Sequence, residues 1–207
     1  MMDDFGSFIA SLGDLSILPD WRSISALYDE IDRYAGEFTR TFKVRCPPGC
    51  GTCCEHFLPD ITDLEASFIA AYLLFRKMDI PSVVDEDRRL CPFYVKDDPF
   101  HCLVYPVRAT VCRMFASVPS KDKHGQPVFR RCRYNTLEDQ LQTIGPESFM
   151  MGGKEVRTMG DFSAEFAVIA KDMARYDIDI AVTRQLIHLK QILSYISGRW
   201  PFDPLAS

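Results

Sequence analysis

The stretch Cys46-Pro47-Pro48-Gly49-Cys50-Gly51-Thr52-Cys53-Cys54 places four thiols in nine consecutive residues of a 207-residue chain. Proline disfavours helix at the residue before it, and glycine permits turn conformations that other residues avoid. The stretch therefore predicts a tight loop. Thiolates are soft ligands that suit zinc and iron–sulfur centres. A Cys-x2-Cys step in such a loop lets two sulfurs converge on one centre, so the loop predicts metal binding.

Four more cysteines follow this loop at wider spacing, and none lies before Cys46 or after Cys132. The candidate metal ligands are Cys46, Cys50, Cys53, Cys54, Cys91, Cys102, Cys112 and Cys132. Two groups of four are enough for two tetrahedral sites of four sulfurs. Because Cys53 and Cys54 are adjacent in the chain, their side chains can point in opposite directions more easily than both can bind the same ion. Two arrangements stay open: the pair is shared between two centres, or one of the two is a spare thiol.

Clustered cysteines can also be unrelated thiols in a core, since free cysteine is often buried, or pairs joined by disulfides. The N-terminus reads MMDDFGSFIASLGD, without the positive charge and long apolar stretch of a secretory signal. We therefore predict a cytoplasmic location, where reducing conditions make stable disulfides rare. Clustered cysteines in that compartment more often bind metal or take part in chemistry.

Composition narrows the class of protein further. The hydrophobic fraction is 47% and the charged fraction 26%, both ordinary for a globular protein. No apolar run approaches the roughly 18 residues that a membrane span needs, so no membrane association is predicted. The net charge of -5 argues against a general nucleic-acid binder.

Hydrophobic spacing predicts one domain over 1–207, with an N-terminal helix in 19–45, a cysteine-rich metal-binding core at 46–135 and a helical C-terminal extension at 136–207. Residues 1–18 lack a clear period, and we expect a loosely docked leader there. The apolar residues that recur at helical spacing in the N-terminal helix are Trp21, Ile24, Leu27, Ile31, Tyr34, Phe38 and Phe42.

Polar residues mark two helix starts. Asp20 is a candidate N-cap for the N-terminal helix. A second helix is predicted over about 62–78, with Thr62 or Asp63 as its cap and Glu65 in its first turn. Its wide apolar face indicates a position in the core.

The C-terminal extension contains two amphipathic helices within about 161–197, separated near Asp177. Their apolar stripes are Phe162, Phe166, Ile169, Met173 and Tyr176, and then Val182, Leu186, Leu189, Leu193 and Ile196. We expect both to pack on the N-terminal helix and form the main apolar core. The predicted fold is mainly α, with an irregular cysteine-rich metal-binding centre packed between N- and C-terminal amphipathic helices.

The cysteine pattern resembles that of a known family. The matching elements are Cys46-x3-Cys50-x2-Cys53-Cys54, Cys91-Pro92-Phe93 and Cys102-Leu103-Val104-Tyr105-x2-Arg108-x3-Cys112-Arg113-x-Phe115. Together they resemble the YkgJ-type CxxCxxCC cysteine-cluster family over about residues 46–132. That family is described as zinc- or iron-chelating, and some relatives are described as iron–sulfur proteins that N-methylate lysines of flagellin. The resemblance implies a metal centre and, by analogy with those relatives, a role in modifying another protein.

Three residues beside the last thiols are predicted to contact the bound group. Arg108 and Arg113 carry guanidinium donors that can bind cluster sulfur or an anionic ligand, although solvated side chains are the alternative. Tyr105 belongs to the aromatic residues that flank the thiols and limit solvent access, although ordinary core packing explains such residues too. His56 and His101 are alternative ligands in a mixed site.

The spacing of the second cysteine group favours iron–sulfur over zinc. Cys91-x10-Cys102-x9-Cys112 lacks the paired short hooks of zinc fingers, and few histidines lie near the thiols. We therefore predict an iron–sulfur cluster of the 4Fe-4S type, with Zn²⁺ as the alternative cofactor. The predicted function is a cytosolic metal-binding protein that acts in or supports modification or maturation of another protein, its partner. The alternatives are a zinc-stapled interaction module without catalysis, or a zinc or iron storage or delivery protein.

Overall fold

The computed structural model describes residues 2–13, 15–44, 52–80, 90–96, 101–115, 117–130, 143–144, 150–171 and 174–197. The predicted ligands Cys53, Cys54, Cys91, Cys102 and Cys112 lie within these residues. The predicted ligands Cys46, Cys50 and Cys132 lie outside the described residues.

Helices lie on both sides of the cysteine-rich middle of the chain. They are α1 (Met2–Ser11), α2 (Leu18–Thr41), α3 (Asp63–Arg76), α4 (Thr110–Met114), α5 (Met159–Ala170) and α6 (Ile178–Ser197). The prediction of a mainly α fold around an irregular cysteine-rich centre is confirmed. Within the described residues, no helix has both the length and the apolarity to cross a membrane.

Helix α2 forms where the apolar stripe predicts it. Trp21, Ile24 and Phe38 are fully buried on its inner face. The predicted cap at Asp20 is wrong, because the helix begins two residues earlier with Pro19 in its first turn. Proline is favoured there because the first turn has no use for its missing N–H. Asp20 instead lies within that first turn, where a negative charge is favourable.

Helix α1 corrects the expectation of a loosely docked leader. Phe5 is 1% exposed, and its ring contacts those of Phe68, Tyr72 and Phe75 at centroid distances of 5.5, 5.2 and 5.5 Å. Phe8, Ile9 and Leu12 pack against the same core beside Phe5. These four residues have the spacing of one helix face, so the expectation that residues 1–18 lack a clear period is wrong.

Helix α3 occupies the middle of the apolar core. Of the two predicted caps, Thr62 is the N-cap, and Glu65 in the first turn forms a capping box with it. Every residue from 64 to 73 is buried, so the helix is surrounded on all sides. The Trp21 Nε1 donates a 2.9 Å hydrogen bond to the Ser67 Oγ, which joins α3 to α2.

The two C-terminal helices pack on different partners. Helix α5 packs on α2, where the rings of Tyr34 and Phe162 meet at 5.2 Å. Helix α6 packs chiefly against α3, so the expectation that both pack on the N-terminal helix is wrong for α6. Tyr176, expected in a helix, lies instead in a strand that leads directly into α6.

Short antiparallel strands explain the place of α6. The strands are β1 (Asp60–Thr62), β2 (Ser120–Lys121), β3 (Pro127–Arg130), β4 (Thr143–Ile144), β5 (Met150–Met151), β6 (Lys154–Glu155) and β7 (Arg175–Asp177). Strand β1 pairs with β7, with Ile61 opposite Tyr176. Because β1 continues into α3 and β7 into α6, this pairing places the two helices side by side. Strands β2, β3 and β4 form a second sheet, and β5 and β6 form a hairpin.

Candidate metal centre

Five described cysteines come from four separate pieces of chain. Cys53 and Cys54 lie in a single 3-10 turn, Thr52–Glu55, and Cys112 lies in α4. Cys91 is buried, and Cys102 pairs with Tyr94 in an isolated antiparallel bridge. All five thiols are free, so none of them forms a disulfide.

Backbone hydrogen bonds connect three of these pieces. The Cys91 N–H donates to the Cys54 carbonyl at 3.0 Å, which joins the first cysteine turn to the second piece. The Leu103 N–H donates to the Phe93 carbonyl at 3.0 Å, beside the Tyr94–Cys102 bridge. The peptide backbone therefore brings the thiol-bearing residues 54, 91 and 102 together without help from their sulfur atoms.

The thiols form one electrostatic neighbourhood. A hydrogen bond with Cys54 and burial raise the pKa of Cys53 far above its usual range. The same bond lowers the pKa of Cys54, but a hydrogen bond with Cys91, burial and the charges of Cys91 and Cys102 outweigh it and raise that pKa to about 12. Burial, followed by the charges of the other thiols, raises the pKa of Cys112. A metal ion that binds here must therefore displace protons from the sulfur atoms.

The donor chemistry fits zinc or iron, because the neighbourhood is rich in soft sulfur atoms. Among the described side chains, no group of three or more His, Cys, Asp or Glu residues is already arranged to hold an ion. The five thiols are therefore neighbours rather than a finished coordination shell. His56 and His101, the alternative ligands, are likewise not part of such a group.

The three residues predicted to contact a cofactor lie within α4 or shortly before it, and they bind protein groups. The Arg108 Nη2 donates to Asp32 at 2.9 Å, and the Arg113 Nη1 donates to the other oxygen of the same carboxylate. Arg108 lies 4.1 Å above the ring of Tyr105, and Arg113 lies 4.0 Å above that of Tyr28. Both arginines thus fasten the last part of the cysteine motif to α2. Their contact with a metal group stays a prediction, as does that of Tyr105.

Arg113 is the more deeply placed of the two arginines. Its side chain is 3% exposed, and its Nε donates to the Arg108 carbonyl at 3.0 Å. Burial and the charge of Arg108 lower the pKa of Arg113, while Asp32 counteracts them. The Asp32 carboxylate is therefore the counter-ion that makes this buried guanidinium tolerable.

Sequence reasoning placed Glu65 only in the first turn of its helix and missed both of its contacts. The residue is fully buried. Its Oε2 accepts from the Thr62 N–H at 3.0 Å, and its Oε1 accepts from the Thr110 N–H at 2.9 Å. The Thr-x-x-Glu pattern signals the first contact. No local pattern signals the second, which joins residues 45 positions apart.

Aromatic and polar groups surround the thiols. The Tyr94 hydroxyl donates to the Glu55 carboxylate, next to Cys54. The exposed rings of Phe57 and Phe115 stack at 6.2 Å, each three residues beyond a thiol. Aromatic side chains thus follow two of the thiols closely in the chain, and their limiting of water access to the thiols stays a prediction.

Comparison with known proteins identifies the cysteine-rich segment. Residues 45–137 match the model of the CxxCxxCC family, described as "Putative zinc- or iron-chelating domain". Neither the curated proteins nor the solved structures contain a match to the chain. The family match confirms the resemblance in the cysteine motif and supports metal binding by this segment.

Proposed function

We propose that the clustered cysteines hold an iron–sulfur cluster, and that the protein acts in or supports modification or maturation of another protein. One observation carries the metal-binding part. Free thiols from four separate pieces of chain share one electrostatic neighbourhood, although no disulfide joins them. Burying several sulfur atoms together gives little packing advantage over ordinary apolar side chains, whereas it suits a shared metal centre.

The ligands come from both cysteine groups. Cys53, Cys54, Cys91, Cys102 and Cys112 supply the described thiols, and we expect Cys46, Cys50 and Cys132 to complete the set. When bound, a cluster of this kind supplies electron transfer. The chain positions the thiols through its backbone hydrogen bonds, and Phe93, two residues after Cys91, is fully buried.

Iron–sulfur ligation is favoured by the sulfur-rich donor set and by the long gaps in the second cysteine group. The aromatic residues around the thiols fit a partly shielded redox centre. A zinc-stapled interaction module is the second candidate. It is favoured because α4, which carries Cys112, is bound to both α3 and α2. A closed site of four thiolates around zinc would have a structural role at such a junction. Storage or delivery of zinc or iron requires instead a labile metal.

The metal type is tested on full-length protein purified without oxygen. An iron–sulfur centre gives coloured protein that contains iron and acid-labile sulfide. Colourless protein that contains stoichiometric zinc and no sulfide would show that the bound metal is zinc rather than iron. The assignment of the thiols as ligands would stand. Protein that retains no metal after anaerobic purification, and takes up neither Zn²⁺ nor iron, would overturn metal binding itself.

The partner and the compartment rest on the sequence and on the family resemblance. We propose a protein partner in the cytoplasm, without nucleic acid or membrane. Comparison of lysine methylation between cells with and without the intact chain tests the modification part. Identical methylation patterns would contradict it and leave the metal proposal unaffected.

A further inference from the structure

Glu65 connects the first and the last described pieces of the cysteine centre. One carboxylate oxygen accepts hydrogen bonds from Thr62 at the start of α3. This helix follows the Cys53–Cys54 turn in the chain, with β1 between them. The other oxygen serves the start of α4, two residues before Cys112. The electrostatic field of Glu65 also reaches the Cys112 thiol. A single side chain therefore lies between two helices that carry or follow thiols.

The contacts of Glu65 leave it little freedom to move. It is fully buried, and three donors satisfy it: the Thr62 N–H, the Thr62 Oγ1 at 3.2 Å and the Thr110 N–H. A buried carboxylate without its donors is strongly unfavourable. Because α4 has five residues, it has too few internal hydrogen bonds to fix its own position. The bond from Thr110 to Glu65 therefore holds the end of α4 that lies before Cys112.

We infer that Glu65 is a positioning residue for the metal centre, and that it acts by fixing α4 so that Cys112 meets the other thiols. This inference rests on the proposed metal binding, whichever metal is native. Arg113 secures α4 to α2 through Asp32, whereas Glu65 secures it to the helix that follows Cys53 and Cys54. The distance between the two thiol-bearing pieces therefore depends on Glu65.

Thr110→Pro removes the link, and Glu65→Gln weakens it. Glu65→Gln keeps one acceptor oxygen for the two helix starts, so the N–H groups of Thr62 and Thr110 compete for it. Thr110→Pro deletes the donor N–H itself. Proline is well accepted at the first position of a helix, and Ala109 before it already has the extended conformation that proline requires (φ -59°, ψ 159°). Thr62→Ala is the matched control, because it weakens the cap of α3 and leaves the Thr110 bond in place.

The readouts are Zn²⁺ affinity and the Co²⁺ spectrum, measured on full-length, metal-free, reduced protein with a competing chelator. We expect Thr110→Pro to weaken Zn²⁺ binding by about 10- to 100-fold, as the loss of a group that orients a ligand does. Its thiolate-to-cobalt absorption should fall to the level of Cys112→Ser. Glu65→Gln should weaken Zn²⁺ binding less, because its remaining oxygen can still accept from the Thr110 N–H. Thr62→Ala should lower the thermal midpoint and leave Zn²⁺ affinity unchanged.

A double-mutant cycle separates positioning from general destabilisation. In a Cys112→Ser background, Thr110→Pro should weaken Zn²⁺ binding no further, because the positioned ligand is already gone. An equal loss in both backgrounds, or an equal loss in Thr62→Ala, would overturn the positioning role while metal binding stands. Wild-type protein that takes up neither Zn²⁺ nor Co²⁺ nor iron would overturn the proposed metal binding itself.

Discussion

Helices α2 and α4 pack against each other but are held in place by different means. Helix α2 has 24 residues and a continuous buried apolar face. Helix α4 has five residues and depends on Glu65 at its start and Asp32 beside it. The longer helices α2, α3, α5 and α6, here called the helical shell, are therefore held by hydrophobic burial. The cysteine centre depends instead on polar contacts between residues far apart in the chain.

The apolar shell should give the largest effect. Phe38 is fully buried, and its ring meets those of Phe42 at 4.6 Å and Phe129 at 5.4 Å. We expect Phe38→Ala to lower the free energy of unfolding by about 3–5 kcal/mol, because it leaves a cavity in the core. Denaturant unfolding of chelator-treated protein measures this. Ile187→Ala, at a side chain that is 54% exposed, is the control and should stay within about 0.5 kcal/mol of wild type. Equal losses in the two variants would contradict the role of buried apolar contacts in the shell.

The polar contact of α4 should give the next largest effect. Asp32→Asn leaves the buried Arg113 without its counter-ion, and we expect a loss of about 2 kcal/mol, reduced from the value for a fully buried pair because Asp32 is 39% exposed. Asp79→Asn breaks the exposed pair with Lys190 and should cost less than about 0.5 kcal/mol. The same unfolding measurement compares them. Similar values for both would mean that Asp32 does not hold α4.

The smallest effect concerns the start of α5. Partial burial raises the pKa of Asp161, but hydrogen bonds from Thr158 and Lys121 outweigh it and hold that pKa below its usual value. A lowered folded-state pKa adds stability above the unfolded-state pKa, and that stability disappears as pH falls through the folded-state pKa. The thermal midpoint of metal-free wild type should therefore fall more steeply below about pH 4 than that of Asp161→Asn. If the thermal midpoints of the two proteins fall in parallel with pH, the lowered pKa of Asp161 does not contribute to stability.

Local pattern was enough to predict α2 and the start of α3. The stripe in α2 and the Thr62–Glu65 cap both appear within a few residues of sequence. Their physical cause is local as well, since helical spacing and first-turn hydrogen bonds involve neighbours in the chain. The family match over 45–137 covers the segment whose cysteine pattern carries the resemblance.

Long-range partners could not be predicted in the same way. Asp32 and Glu65 bind groups 76 and 45 residues away, and neither partner leaves a mark on the local spacing. Tyr176 fits a helical stripe, but the pairing of β7 with β1 takes precedence over that spacing. Position beside the thiols predicts a cofactor contact for the arginines and Tyr105, and the structure adds the scaffold contacts that they make.

The central claim is that the clustered thiols hold a metal centre. The most direct measurement is the metal content of Cys54→Ser and Cys112→Ser beside wild type, each purified without oxygen, with Ser163→Ala as the control. Cys54 contacts two other thiols, and Cys112 comes from the most distant described piece of the motif. We expect both cysteine variants to lose most of their metal while Ser163→Ala keeps it. Equal metal content in wild type and both cysteine variants would contradict the claim.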